Sequence, residues 1–363
     1  MSKTDGKDKF MFNDQTIVSF PGLGIGEMDL SKIAFTLFGK LEVRWYGLII
    51  TLGIIAAVAY VIFRGWRSEH VISDDIIDIA LLTVILGVIG ARAYYVLTTL
   101  DEYATFGEAL AIWNGGLGIY GGIIGGCLGI VIMCYFKKIS WRKLFDMAAP
   151  GVMLAQAMGR WGNFFNGEAY GYAIGDTTRF FFFNKEVILT SGKGTIFNTF
   201  RMGLQEYGLT TFYHPTFLYE SVWNLLGFAV ANIIYKHKRF HGQIALFYFT
   251  WYGFGRMFIE GFRTDSLYVP GTTVRISQLL GIVFFLGCGT ALLVLSLLTR
   301  KRERLLVLED AAYEAAKKVE AELANEKAEK AEETKDGSFS NTVANGWKKI
   351  VLSVKKLFQK EDK

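Results

Sequence analysis

Seven long apolar stretches constrain the fold of this chain more than any other feature of its sequence. They lie near residues 45–63, 74–98, 115–136, 144–165, 216–235, 243–262 and 275–298. Each approaches the roughly 20 residues that an α-helix needs to cross the hydrocarbon core of a bilayer. Backbone N–H and C=O groups must be paired inside lipid, so runs of this length should be helical. The sequence therefore predicts an all-α, polytopic membrane protein with seven transmembrane helices.

The basic residues predict how these helices are oriented. Lysine and arginine cluster in the connections at 64–67, 137–143, 236–239 and 300–302, and the short connections between these hold fewer of them. Because short loops rich in lysine and arginine stay in the cytoplasm, this alternation predicts an external N-terminus and a cytoplasmic C-terminus.

The chain is expected to divide into five segments. In order, these are an external lead-in (1–44), helices one to four (45–166), a small extracytoplasmic head (167–213), helices five to seven (214–299) and a charged cytoplasmic tail (300–363). A short amphipathic helix is expected around residues 28–41, lying on the membrane surface. The head is too long for a connector, and its alternating stretches favour short strands. The tail is expected to be mobile, with its last apolar positions either on anionic lipid or unstructured.

Two arginines lie inside predicted spans, Arg160 in the fourth and Arg256 in the sixth. A cation at the centre of a membrane helix costs about 2.5–3.5 kcal/mol on insertion scales, so it usually has a partner and a function. Under the predicted orientation both arginines fall in the outer leaflet. Together they predict one outward-facing site for an anion, and a phospholipid headgroup is the first candidate.

The spacing of the neighbouring charges supports such a site. Arg256, Glu260 and Arg263 are at positions i, i+4 and i+7, so they form one stripe on a helix. Glu260 can hold a guanidinium group in place, while the guanidinium donors bind a phosphate bidentately. In the alternative interpretation, Arg160 pairs with Glu168 and Arg256 with Glu260 as contacts between helices, without a ligand.

Other polar residues fall near the same outer ends. They are Tyr46, Arg92, Asn114, Tyr120, Asn163 and His214. A lone histidine in such a position is more often a hydrogen-bonded structural residue than a base. Asp146 lies at the cytoplasmic start of the fourth span, where a helix N-terminus favours an acid, so it is left out of the site. The glycines between 115 and 129 predict a closely packed helix face, because no strand precedes them as a dinucleotide-binding loop requires.

Several ordered motifs resemble those of one known family. They are RWYG at 44–47, WNGG at 113–116, GRWGNFFNGEAYG at 159–171, HPTFLYE at 214–220 and GRMFIEGFR at 255–263. These motifs are similar to those of the bacterial prolipoprotein diacylglyceryl transferases. The resemblance implies a multi-pass enzyme of the bacterial cytoplasmic membrane. Such an enzyme moves the diacylglyceryl group from phosphatidylglycerol to the lipobox cysteine of a preprolipoprotein signal peptide, forming a thioether and releasing glycerol phosphate.

The resemblance also implies roles for individual residues. The implied catalytic residues are Arg160, Arg256, Tyr120, Tyr46 and Glu260, and the implied substrate-binding residues are Arg160, Asn163, Asn166, Glu168, Gly171, Arg256, Arg263 and His214. Arg160 and Arg256 would bind the phosphate, and Glu260 would support Arg256. Many relatives have a histidine where this chain has Tyr120, so the proton acceptor stays open between Tyr120 helped by an arginine, His214 and a substrate oxygen. Besides the two substrates, membrane lipid is the expected partner, and no cofactor, metal or nucleic acid is expected.

The main alternative is a membrane transporter for lipids or anions that uses the same arginines. A transporter predicts polar residues through both leaflets and, commonly, paired repeats. The inner halves of the spans, such as residues 54–63 and 281–298, are mostly apolar. A structural scaffold is the second alternative, but it gives no reason for two arginines in one leaflet.

Overall fold

The computed structural model describes residues 15–38, 41–100, 105–111, 115–183, 185–204 and 211–299. The helices in this part of the chain are α1 (Trp45–Arg64), α2 (Ser73–Thr98), α3 (Phe106–Leu110), α4 (Ile119–Phe136), α5 (Trp141–Asn166), α6 (Ile196–Thr199), α7 (Thr216–Tyr235), α8 (Gln243–Ile259) and α9 (Ile276–Thr299). The predicted tail at 300–363 and the predicted site residue Asn114 lie outside the described residues.

Five of these helices are long and apolar enough to cross a membrane, namely α1, α2, α4, α7 and α9. The chain is therefore a mostly helical, polytopic membrane protein. The remaining two long helices, α5 and α8, also occupy the predicted positions, and they carry Arg160 and Arg256. Helix α5 packs against α1, α7 and α8, so neighbouring helices surround it and its polar residues can face protein instead of lipid.

Glycines allow α2 and α4 to approach closely, as their spacing predicted. A Cβ atom on Gly121 would lie 2.1 Å from the carbonyl oxygen of Gly90, and a Cβ on Gly125 would lie 2.1 Å from that of Leu86. The missing side chains thus bring the two backbones into contact, which is a common way to pack helices in lipid.

The described residues also form nine strands, so the prediction of an all-α protein was wrong outside the long helices, although short strands had been expected in the head segment. The nine strands are β1 (Gln15–Phe20), β2 (Ile25–Ser31), β3 (Ile33–Leu37), β4 (Leu41–Arg44), β5 (Ala173–Ile174), β6 (Thr177–Phe182), β7 (Lys185–Thr190), β8 (Met202–Leu204) and β9 (Phe212–Tyr213). The interfacial helix expected around residues 28–41 is replaced by β2, β3 and the start of β4. Strands β3 and β4 form one hairpin, and β6 and β7 form another.

Three strands of the head segment join two strands of the lead-in in one sheet. Its strand order is β2-β1-β8-β9-β5, and all of its pairs are antiparallel. In the β1–β8 pair, Val18 lies opposite Leu204. Both side chains are buried in a core that also contains Phe164 of α5 and Phe217 of α7. The sheet therefore covers one end of α5 and α7, next to Arg160.

Asp146 caps a neighbouring helix, whereas its position had suggested that it would interact with the N-terminus of its own helix. Its carboxylate accepts hydrogen bonds from three backbone N–H groups at the start of α8, those of Gly242 at 2.8 Å, Ile244 at 2.8 Å and Ala245 at 3.0 Å. A carboxylate at a helix N-terminus satisfies donors that have no partner within the helix. Asp146 thus joins α5 to α8 at the end opposite Arg160 and Arg256.

Candidate active site

Three arginines converge on one buried carboxylate, that of Glu220 in α7. Arg160 Nη2 lies 2.5 Å from Glu220 Oε2. On the other side of the carboxylate, Arg256 Nη1 lies 2.6 Å and Arg263 Nη1 lies 3.3 Å from Glu220 Oε1. Glu220 is only 5% exposed. We call Arg160, Glu220, Arg256 and Arg263 the arginine cluster.

The arginine cluster brings together the two predicted arginines, but in the described part of the chain no open anion site lies between them. Glu220 occupies that position, whereas the sequence had suggested a phosphate there. For Arg160, the alternative pairing with Glu168 was also wrong, because its carboxylate partner is Glu220. For Arg256, the pairing with Glu260 is present, with Nη2 2.8 Å from Oε2.

Two further carboxylates, those of Glu260 and Asp265, pair with arginines of the cluster. Glu260 is 1% exposed and holds Arg256. Asp265 accepts two hydrogen bonds from Arg263, from Nε at 2.9 Å and Nη2 at 2.7 Å. Burial alone would raise the pKa of Asp265, but the hydrogen bonds and the charge of Arg263 outweigh burial and hold the pKa below its ordinary value. Asp265 is therefore ionised at neutral pH and fixes the planar Arg263 fork.

The exposure of the three arginines distinguishes their roles. The Arg160 side chain is 24% exposed, against 12% for Arg256 and 10% for Arg263. Both terminal nitrogens of Arg256 face carboxylates, and its buried Nε has no hydrogen-bond partner among the described residues. Arg160 is thus the arginine best placed to meet a ligand, while Arg256 and Arg263 hold Glu220.

A polar turn at the end of α5 lies beside Arg160. Glu168 Oε1 accepts hydrogen bonds from Asn163 Nδ2 at 3.1 Å and from Asn166 Nδ2 at 3.2 Å. Gly167 ends the helix with a φ of 69°, a conformation that favours glycine. The structure thus brings these three predicted substrate-binding residues together on one exposed turn.

Tyr46 reaches the same region from the first turn of α1. Its ring packs against Gly162 of α5, where a Cβ atom would lie 3.1 Å from Tyr46 Cδ2. The phenol lies within the electrostatic range of both Glu168 and Arg160, and 37% of the residue is exposed. The structure thus brings Tyr46 close to Arg160 and Glu168.

The structure places Tyr120 apart from the arginine cluster. Its ring packs against Tyr94 of α2, with 5.9 Å between the ring centroids. Within the described part of the chain, no hydrogen bond, ion pair or ring contact joins Tyr120 to an arginine of the cluster.

His214 is buried in the protein wall. Its Nε2 lies 2.8 Å from Thr178 Oγ1, and its Nδ1 lies 3.1 Å from Tyr219 Oη. The residue is 0% exposed, and burial lowers its pKa to about 4. Since both ring nitrogens already have protein partners, His214 is placed to hold the neighbouring segments together and not to bind the substrate directly.

Gly171 lies between the segment of His214 and the segment of Arg263. Its N–H donates to the His214 carbonyl at 2.9 Å, and it forms a β-bridge with Arg263. A Cβ atom at this position would lie 2.6 Å from the carbonyl oxygen of Phe262. Gly171 thus acts through close packing, which keeps the Arg263 backbone beside the His214 segment.

Comparison with known proteins agrees with the motifs. The family profile described as prolipoprotein diacylglyceryl transferase matches residues 32–295. Two relatives from two strains of Streptococcus pneumoniae, each named phosphatidylglycerol–prolipoprotein diacylglyceryl transferase, are 44% and 43% identical over 269 residues. Each alignment covers 73% of this chain and 94% of the relative.

The chain belongs to the prolipoprotein diacylglyceryl transferase family. Two residues of the candidate site were not predicted from the sequence. Glu220 stood inside a recognised motif but was not assigned a role, although it is an acid in the outer half of a predicted span. Tyr252 of α8 was also missed, and its phenol lies within the electrostatic range of both Arg160 and Arg256.

The burial of His214 predicts how the stability of this transferase depends on pH. The folded pKa of about 4 lies below the ordinary value of 6.5, so between these values the unfolded chain binds a proton that the folded chain does not. The free energy of unfolding therefore keeps its full value above pH 6.5 and decreases as the pH falls, by up to about 3 kcal/mol. Thermal unfolding in detergent across this range should show the loss, and His214→Gln should flatten it. An equally steep loss in His214→Gln would contradict the assignment.

Proposed function

We propose that this chain transfers the diacylglyceryl group of phosphatidylglycerol to the lipobox cysteine of preprolipoproteins. The observation that carries the proposal is the arginine cluster, in which an arginine with a partly exposed side chain is held by a buried carboxylate in a member of this transferase family. Arg160 would bind the substrate phosphate, with Tyr46 and the turn formed by Asn163, Asn166 and Glu168 around the glycerol headgroup.

The reaction requires stabilisation of a poor leaving group. The cysteine sulfur attacks the glycerol carbon that carries the phosphate, a C–S bond forms and the C–O bond breaks. The thiol proton passes to the departing phosphate oxygen, so the products are a thioether and glycerol phosphate. Negative charge grows on the phosphate as the C–O bond breaks, and preorganised donors aimed at that charge lower the barrier. Arg160 supplies such donors, and Glu220 keeps its guanidinium in place.

This assignment differs from the sequence hypothesis in two ways. Arg256, Arg263 and Glu260 are proposed to position Glu220 and, through it, Arg160, because their own polar groups are largely occupied. His214 is not proposed as the proton acceptor, because both of its nitrogens are engaged. We propose a substrate oxygen as the acceptor, because Tyr120 also makes no contact with the arginine cluster among the described residues.

We further propose that all seven long helices cross the bacterial cytoplasmic membrane, with the N-terminus outside. The alternation of basic connections supports this orientation. The sheet formed by β1, β2, β5, β8 and β9 would then lie on the outer side, beside the arginine cluster. There it would meet both phosphatidylglycerol and an exported signal peptide.

The direct test is transfer by the purified protein in vesicles that contain phosphatidylglycerol and a lipobox peptide. The peptide mass should rise by one diacylglyceryl unit, and a peptide with serine in place of the lipobox cysteine should not be modified. If peptide mass stays unchanged while labelled phosphatidylglycerol crosses the bilayer, the transporter alternative replaces this proposal.

A further inference from the structure

An apolar groove separates two pairs of helices in the bundle. Helix α2 packs along α4 and α1 packs along α5, while the two pairs meet each other only sparsely. The groove between them has a volume of about 410 Å³, and its lining is apolar apart from Thr83 and Gln156. A surface of this kind suits hydrocarbon and does not suit a phosphate or a polar peptide.

The upper end of the groove adjoins the arginine cluster. On α5, the lining residue Gln156 lies one turn below Arg160, and on α1 the lining residue Ile50 lies one turn below Tyr46. One turn is about 5.4 Å. From Gln156 the groove continues along α5 to Leu144, a distance of about 18 Å at 1.5 Å per residue. The groove thus begins where the proposed phosphate site ends.

We propose that this groove holds one acyl chain of phosphatidylglycerol and that its lower end sets the length of chain that is transferred. The inference rests on the proposed function. In the substrate, glycerol links the phosphate to the acyl chains, so a chain leading away from Arg160 along α5 follows the covalent order of the lipid. A signal-peptide helix does not fit, because a helix about 10 Å wide and as long as the groove would fill about 1,400 Å³, more than the roughly 1100 Å³ of open space in the groove and at its mouth.

Small side chains keep the lower part of the groove open. Ala80 of α2 and Ala148 of α5 line it from opposite walls, and both are partly exposed. Ala148 lies about 12 Å below Gln156. Beneath them, Ile76 and Leu144 are buried in a core cluster that closes the floor. A larger side chain at either alanine should therefore shorten the groove without reaching the arginine cluster.

The product mass provides a direct test of this length control. Vesicles would contain equal amounts of didecanoyl, dimyristoyl, dipalmitoyl and distearoyl phosphatidylglycerol, with a lipobox peptide as acceptor. In Ala148→Phe, the ratio of dimyristoyl to distearoyl product should rise about tenfold, because more of the longer chain would have to overpack against the phenyl ring. Transfer from didecanoyl phosphatidylglycerol alone should stay at the wild-type rate. Ala80→Phe should shift the ratio in the same direction from the other wall.

A matched control lies next to Ala80 in the sequence. Leu81 is 59% exposed and does not line the groove, so Leu81→Phe should leave the product distribution unchanged. The inference would be overturned if Ala148→Phe and Ala80→Phe both fold and both leave the product distribution unchanged. It would also be overturned by an equal loss of transfer for all chain lengths, or by a raised KM for the peptide without a shift in chain length. If Ala148→Phe does not fold, Ala80→Phe decides. Failure of the wild-type protein to modify the peptide at all would instead refute the proposed function, and the groove assignment with it.

Discussion

Replacing Arg160 by alanine should reduce the rate of diacylglyceryl transfer by about 10²–10³-fold, the usual effect of removing one preorganised donor from a developing anion. Arg160 has the most exposed side chain among the three arginines of the cluster, and it lies beside Tyr46 and the Glu168 turn. Arg160→Lys should recover only part of the rate, because an ammonium group keeps the charge but loses the planar fork. The measurement is the initial rate of peptide mass gain in phosphatidylglycerol vesicles.

Arg179→Ala is the matched control for Arg160→Ala. Arg179 lies on β6, pairs with Glu186 at 3.3 Å and is 64% exposed in its side chain. An exposed ion pair contributes at most about 1 kcal/mol to stability, so this variant should keep wild-type activity. Arg160→Ala with a rate within twofold of wild type would contradict the role given to Arg160.

Replacing Glu220 by glutamine should both destabilise the protein and abolish transfer. The substitution keeps the shape of the side chain but leaves three largely buried guanidinium groups facing a neutral amide. Removing one partner of a buried charge network typically costs about 3–5 kcal/mol, because the remaining charges lose their compensation. Thermal unfolding in detergent should show the lost stability, and the vesicle assay should show the lost transfer. Glu220→Asp, which keeps the charge, should retain part of both.

The opposite result for Glu220 would be equally informative. If Glu220 only fills a site meant for phosphate, Glu220→Gln would bind phosphatidylglycerol more tightly and keep its activity. Such an outcome would contradict the proposal that Glu220 positions Arg160. Glu186→Gln, which breaks the exposed pair with Arg179, serves as the control for the loss of one carboxylate.

The positions of the long helices were predicted well from the sequence. The spans expected at 45–63 and 216–235 correspond to helices at Trp45–Arg64 and Thr216–Tyr235. This agreement has a simple cause, because the bilayer sets the helix length and the apolar run marks it. The strands of the lead-in were missed because their pairing partners are remote in sequence. Val18 pairs with Leu204, far along the chain, and no local pattern records such a partner.

The candidate site was predicted only in part. Arg160 and Arg256 stood out because charge inside an apolar span is costly, and the loop charges predicted the outer leaflet for both. The carboxylate between them did not stand out, because one acid near the end of a span can face any of several neighbours. Only the packing of α5, α7 and α8 shows that Glu220 faces both arginines.

The sequence by itself determined the membrane class, the positions of the helices, the family and the residues that carry the charge. These properties depend on local composition, periodicity and ordered motifs, all of which can be seen along the chain. The tertiary structure decided which carboxylate each arginine meets, which arginine has the most exposed side chain, and where an apolar groove runs beside them. These properties depend on distances between helices that are remote in sequence, and such distances are set by how side chains pack across the bundle.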